Sequence, residues 1–244
     1  MTQAPSPAPA PTLAEYASGS AMANALADRI AHRLSEAITQ RDQASLAVSG
    51  GSTPKALYEH LADRPIDWMR VTVVLVDERW VEPGTEGSNE TFVRASLLQG
   101  KAAEARWVGL KTPGETPAQG LKAAEARLAD VARPFDAVVL GMGGDGHTAS
   151  WFPHAEGLAA ALAPTGPSVA AIQAIRSDVT GPLTERITLT RSALSGAGEI
   201  DLLISGASKR RAWEEAITPG PVEDQPVRAL LHDPTLRLET HWAP

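Results

Sequence analysis

Four stretches of the sequence set polar side chains beside glycines, where a backbone can come close to a ligand. The densest is Gly141-Met142-Gly143-Gly144-Asp145-Gly146-His147-Thr148-Ala149. Clustered glycine costs backbone entropy, a cost that is offset where main-chain groups must approach a bound molecule. The spacing predicts His147 at a helix start, where burial and the helix dipole favour a neutral imidazole able to accept a proton. Asp145 can orient that ring or cap the turn. A histidine that only caps a glycine-rich turn is the plainer alternative, and an Asp-x-His pair can also ligate a metal. With no cysteine in the chain and His154 as the one other histidine nearby, no metal is expected.

The second stretch, Ser49-Gly50-Gly51-Ser52-Thr53-Pro54, opens into an expected helix. Gly50 and Gly51 let amide groups converge on an anion, Ser52 and Thr53 add hydroxyl donors, and the helix N-terminus adds partial positive charge. The spacing matches neither the dinucleotide fingerprint nor the ATP-binding loop. Its alternative is a tight turn with Ser/Thr capping. The third, Asp77-Glu78-Arg79-Trp80 with Ser88-Asn89 further on, can orient a polar ligand or tie down its own loop, with Asn89 as an N-cap. The fourth pairs Arg186, just before an expected strand, with Lys209 at a helix start. Cations beside an amide cradle complete an oxyanion site, although both also read as surface charges.

These stretches need elements to position them. Apolar runs at residues 46–48, 71–76, 136–140 and 200–204 read as buried parallel strands, with a short strand at 187–189. Helices are expected at residues 13–39, 54–61, 89–98, 117–131 and 207–217, and a surface loop at 177–184. Strands alternating with helices predict an α/β fold. Ligands of open α/β sheets bind beyond the carboxyl ends of the strands, where the four stretches fall.

The chain has 244 residues, 43% hydrophobic but only 5% aromatic, which suits aliphatic helices packed on a sheet in one domain, residues 13–244. Residues 1–12, rich in Pro and Ala, are expected to be a disordered tail without signal-peptide character. A net charge of −7 argues against nucleic acid or an anionic membrane as partner. The absence of cysteine removes disulfides, thiolate metal sites and a thiol nucleophile. No apolar run spans a bilayer, and a cytoplasmic protein is expected.

Taken together and in order, residues 49–54, 77–79, 88–89, 141–147 with Ala149-Ser150-Trp151-Phe152-Pro153, Arg186-Ile187-Thr188-Leu189 and Gly206-Ala207-Ser208-Lys209 resemble the 6-phosphogluconolactonases. The resemblance implies a Rossmann-like, mostly parallel sheet flanked by helices, of the NagB/RpiA/CoA-transferase-like kind. It also implies hydrolysis of 6-phosphoglucono-δ-lactone in the oxidative pentose phosphate pathway, without metal or organic cofactor, by a monomer or homodimer. Carried onto this sequence, His147, Arg79 and Asp145 are catalytic, with His147 taking a proton from water. Gly50, Gly51, Ser52, Thr53, Arg186 and Lys209 bind the substrate phosphate. Asp77, Asn89, Gly143, Gly144 and Gly146 position the lactone, the glycine amides of the last three facing the oxyanion.

Two departures qualify the carry-over. The Pro-rich stretch usual before the Arg-Ile-Thr strand is replaced by residues 176–185, and His154 stands where a small residue is common. The related glucosamine-6-phosphate deaminases carry Asn-Glu-Pro shortly after the histidine, whereas this chain has Trp151-Phe152-Pro153 and no acid there. Moving protons between carbons calls for that extra carboxylate, and hydrolysis does not. The deaminase is therefore the enzymatic rival, and a non-catalytic sugar-phosphate sensor is the rival of another class.

Overall fold

The computed structural model describes residues 11–244. Along the chain run β1 (Thr12–Glu15), α1 (Gly19–Arg41), β2 (Ala44–Val48), α2 (Lys55–Ala62), β3 (Val71–Leu75), β4 (Asp77–Arg79), α3 (Asn89–Ser96), β5 (Arg106–Val108) and α4 (Pro117–Leu128). They are followed by β6 (Ala137–Gly141), α5 (Leu158–Leu162), β7 (Val169–Gln173), β8 (Glu185–Leu189), α6 (Arg191–Leu194), β9 (Ile200–Ser205), α7 (Gly206–Ala216), α8 (Arg228–Leu231) and β10 (Leu238–Ala243). Among the described residues the strands form two sheets. The larger has seven strands in the order β1-β10-β9-β6-β2-β3-β5, all parallel.

Strands covered on both faces must be apolar throughout, and β2 is buried at every position. α1 buries Met22, Leu26, Ile30, Leu34 and Ala37, a stripe recurring every three or four residues. Its first turn is capped by Ser18, whose Oγ accepts from the Ala21 amide at 3.2 Å. Among the described residues, no helix is long and apolar enough to cross a membrane.

Strand order fixes where a ligand can sit. From β2 the chain adds β3 and β5 on one side, then returns to place β6, β9 and β10 on the other. The winding reverses between β2 and β6, and a crevice opens at such a reversal beyond the carboxyl ends. The turns at residues 49–54 and 141–147 leave those two strands.

Several expectations need correction. Residues 13–39 do not form one helix: Thr12–Glu15 pair with β10, and α1 begins only after the Ser18 cap. The backbone of β1 finds hydrogen-bond partners along β10 that a helix extension would forfeit. The strand also reaches one residue before the domain start placed at 13, while the rest of the expected tail, residues 1–10, lies outside the described residues. A second, three-stranded antiparallel sheet, β4-β8-β7, takes in Asp77–Arg79, expected only to follow the end of a strand, and places Arg186 within a strand rather than before it.

Candidate active site

The crevice between the reversing strands holds a cleft of about 320 Å³. Its wall includes Gly50, Gly51, Ser52, Thr53, Asp77, Arg79, Asn89, Gly143, Gly144, His147, Arg186 and Lys209, so twelve of the fourteen residues singled out in the sequence meet there. Asp145 and Gly146 are not part of the wall.

Asp145 acts from behind. Its Oδ1 lies 2.6 Å from His147 Nδ1 and accepts from the His147 amide at 3.2 Å. Burial alone raises the Asp145 carboxyl, but hydrogen bonding and charge from His147 outweigh it and hold the group below the ordinary range. An ionised carboxylate only accepts, so Nδ1 carries the proton facing Asp145, and the tautomer with one ring proton has its lone pair on Nε2. Gly143 makes the dyad possible, since a Cβ there would stand 2.1 Å from His147 Nδ1 and 2.6 Å from Asp145 Oδ1.

Two expectations about this turn fail. His147 does not start a helix; Thr148 forms bridges with Met142 and Trp151, and the next helix among the described residues begins at Leu158. Hydrogen bonds across the turn take the backbone that a helix would use, so no dipole acts on the imidazole. Nor do the glycine amides all face the cleft. Gly143 N–H donates to the His147 carbonyl at 2.9 Å and Gly146 N–H to the Gly143 carbonyl at 3.1 Å. Gly146 instead adopts φ 78° and packs against Gln225. Gly144, on the cleft wall, is the glycine of the three whose amide the turn does not consume among the described residues.

The Ser49–Pro54 turn lines one side of the cleft. Gly51 adopts φ 100°, a region open to glycine. Pro54 caps α2 without a side-chain bond, so the hydroxyls of Ser52 and Thr53 do not serve as the cap. Gly50 is required for another reason: a Cβ there would stand 2.0 Å from Asn89 Oδ1. Asn89 is not the N-cap; Ser88 takes that place, and Asn89 Nδ2 donates to the Asp77 carbonyl at 2.9 Å and Asp77 Oδ1 at 3.2 Å.

The two acids of the Asp77-Glu78-Arg79 stretch divide the two roles foreseen for it. Glu78, fully buried, accepts from the amides of Arg79, Asn89 and Glu90 and from Ser88 Oγ, fastening α3 to β4. Burial raises its carboxyl in spite of these donors. Asp77 faces the cleft.

Arg79 and Arg186 stand directly opposite each other across β4 and β8, and both line the cleft. Like charges so placed are unfavourable until an anion lies between them. Arg186 is buried and uses two of its five N–H groups internally, Nε donating to the Leu183 carbonyl at 2.6 Å and Nη2 to the Thr180 carbonyl at 3.0 Å. Burial pushes its guanidinium down to about 10, leaving it cationic at neutral pH. Arg79 Nε is buried without a hydrogen-bond partner among the described residues. Lys209 is lowered by burial alone.

Sequence reasoning missed Ser150 and Val179. Ser150, fully buried, donates from Oγ to Asp77 Oδ2 at 2.6 Å and so joins the histidine turn to β4. Val179 reaches the cleft from the expected surface loop, part of which is pinned by Arg186. Nothing in either residue's local pattern signals this. His154 does not line the cleft: its Nε2 lies 3.0 Å from Asp224 Oδ1, with the side chain 59% exposed. Among the described residues, no three His, Asp or Glu side chains gather to hold a metal ion.

Known proteins place this architecture. The profile of the family described as glucosamine-6-phosphate isomerases/6-phosphogluconolactonase matches residues 17–242. The 6-phosphogluconolactonase of Rhizobium meliloti (strain 1021) is 44% identical over 208 residues, 85% of this chain and 88% of that protein. The crystal structure of a 6-phosphogluconolactonase from Shewanella baltica OS155 matches with a TM-score of 0.91 at 38% identity, covering 98% of this chain and 100% of that one. A monomeric glucosamine-6-phosphate deaminase matches with a TM-score of 0.76 over 95% of this chain and 97% of its own, and at 17% identity it speaks for the fold alone. The chain belongs to the family of glucosamine-6-phosphate isomerases and 6-phosphogluconolactonases.

Proposed function

We propose that this protein hydrolyses 6-phospho-D-glucono-1,5-lactone to 6-phospho-D-gluconate. The observation that carries the proposal is the Asp145–His147 pair set in one cleft with Arg79, Arg186 and Lys209. The relatives named as 6-phosphogluconolactonases support the choice of substrate.

In this reading His147 Nε2 takes a proton from water as the water oxygen bonds to the lactone C1. The carbonyl π pair moves onto oxygen, and the Gly144 amide and Arg79 meet the developing oxyanion. The tetrahedral centre then collapses, the C1–ring oxygen bond breaks, and the departing oxygen takes the proton back from His147. Water is consumed and one acid released. General-base assistance of this kind is worth about 10²–10⁴-fold.

The 6-phosphate lies among Gly50, Gly51, Ser52, Thr53, Arg186 and Lys209. Because Arg186 already spends Nε–H and one Nη2–H on loop carbonyls, it meets the phosphate through its remaining Nη1 and Nη2 hydrogens. Asp77 accepts from ring hydroxyls through its carboxylate, and Asn89, whose Nδ2 is spent on Asp77, accepts through Oδ1. Holding the remote phosphate fixes the lactone against the base and turns binding energy into orientation. A place in the oxidative pentose phosphate pathway follows from this substrate.

The test is loss of freshly generated lactone, corrected for spontaneous hydrolysis and run beside ammonia release from glucosamine 6-phosphate. Accelerated lactone loss without ammonia is expected. Ammonia release without lactone loss would assign the rival activity.

A further inference from the structure

We propose that Phe152 is a positioning residue for the reaction, holding the His147 imidazole at a fixed place relative to the anion-binding Arg186. This inference rests on the reading of His147 as the base. Phe152 is 3% exposed and lies behind the cleft wall. Its ring centroid is 4.4 Å from that of His147, with 32° between the planes, and the Arg186 Cζ lies 5.3 Å from the same centroid. One phenyl ring therefore touches both the base and an arginine of the anion site.

Each contact has a physical reason. The ring face attracts the guanidinium, and the close, inclined contact buries one face of the imidazole against the phenyl ring. His147 is held at Nδ1 by Asp145, but a single hydrogen bond leaves a planar ring free to tilt about that contact. The Phe152 ring, 4.4 Å away and inclined at 32°, blocks that movement on one face of the imidazole. Two constraints, one in the plane of the imidazole and one on its face, fix the direction of Nε2.

The backbone between the two rings is built for this return. Thr148 bridges to both Met142 and Trp151. Ala149 holds φ 48°, a sparsely populated region for a residue with a Cβ. Ser150 is tied to Asp77, and Trp151 Nε1 donates to the Leu189 carbonyl at 2.9 Å. An aliphatic side chain would fill the space of Phe152 but would offer no π face to either neighbour.

The experiment compares F152L and F152Y with the wild type and with His147→Ala, in full-length protein whose folding is checked by circular dichroism. F152L is expected to lower kcat on 6-phosphogluconolactone by about tenfold to a hundredfold, the scale of a misplaced catalytic group, with KM within about twofold. Inorganic phosphate should inhibit F152L as well as it inhibits the wild type, because Arg186 keeps its bonds to Thr180 and Leu183. F152Y keeps the ring face and should retain kcat within about threefold. In the His147→Ala background, F152L should cost nothing further.

An undiminished kcat in F152L, a change confined to KM, or an equal loss added on top of His147→Ala would overturn the positioning role. If F152L does not fold, a loss of kcat in folded F152Y as large as that of His147→Ala would do so. Wild-type turnover by His147→Ala alone would instead remove the base reading and would be visible before any Phe152 variant is considered.

Discussion

Of the close histidine–aspartate pairs among the described residues, one lies on the cleft and another in the core, and their surroundings differ. His147 and Asp145 lie 2.6 Å apart on the cleft, with side chains 20% and 27% exposed. His241 and Asp201 lie 3.0 Å apart in the core, both at 0%. The second ring nitrogen decides the difference. His241 Nδ1 is taken by Tyr16 Oη at 3.1 Å, so both its nitrogens are spent on joining β10, β9 and the segment before α1. His147 has only Nδ1 engaged by its aspartate, and Nε2 is left for a substrate. A charge-bearing pair becomes chemistry only when one acceptor stays free and water can reach it. When both are satisfied and dry, the same pair is a fastener.

The largest effect that can break this contrast is on turnover. His147→Ala should lower kcat by about 10²–10⁴-fold and leave the thermal midpoint nearly unchanged, checked by steady-state kinetics and calorimetry on one preparation. His241→Ala should do the reverse. It leaves the Tyr16 hydroxyl without this partner and the buried Asp201 carboxylate with Arg29 at 3.9 Å, and a loss of about 3 kcal/mol in urea unfolding is expected, with the activity of the remaining folded protein unaltered. A catalytic defect in folded His241→Ala would show that the two pairs are not separable.

A smaller effect tests the anion end of the cleft. Lys209→Ala removes one cation and should raise KM by about tenfold at constant kcat, the scale of one charge-assisted contact. An unchanged KM would take Lys209 out of the phosphate site.

The smallest effect is on the pH dependence of stability. The Asp145 carboxyl is held below its unfolded value of about 3.9, so its contribution is present above that pH and lost as pH falls through the lower, folded value. Asp145→Asn should flatten this acid limb in urea titrations. A limb as steep as in the wild type would mean that other carboxylates carry it.

The sequence makes some of this legible and hides the rest for physical reasons. Strands β2, β3, β6 and β9 are buried, and that burial writes itself as apolar runs ending near the residues that line the cleft. Glycine clusters reveal the turns because close approach demands them: Gly50 under Asn89 and Gly143 under His147 are examples. Strand β4 is hidden because Asp-Glu-Arg carries no strand pattern and becomes a strand only by pairing with β8. Strand β10 mixes buried Thr240 and His241 with less buried Leu238 and Glu239, and its polar core residues obscure the periodicity. The bond from Ser150 to Asp77 and the contact of Phe152 with His147 arise only when separate segments meet. Helix-start reasoning for His147 failed because Thr148 found bridge partners in Met142 and Trp151, a tertiary choice that no local propensity records.

The most direct test of the account is the rate of loss of freshly generated 6-phosphogluconolactone, corrected for spontaneous hydrolysis, with wild-type protein and folded His147→Ala side by side. The account predicts fast loss with the wild type and a rate lower by about 10²–10⁴-fold with the variant. Equal rates in the two proteins would contradict it.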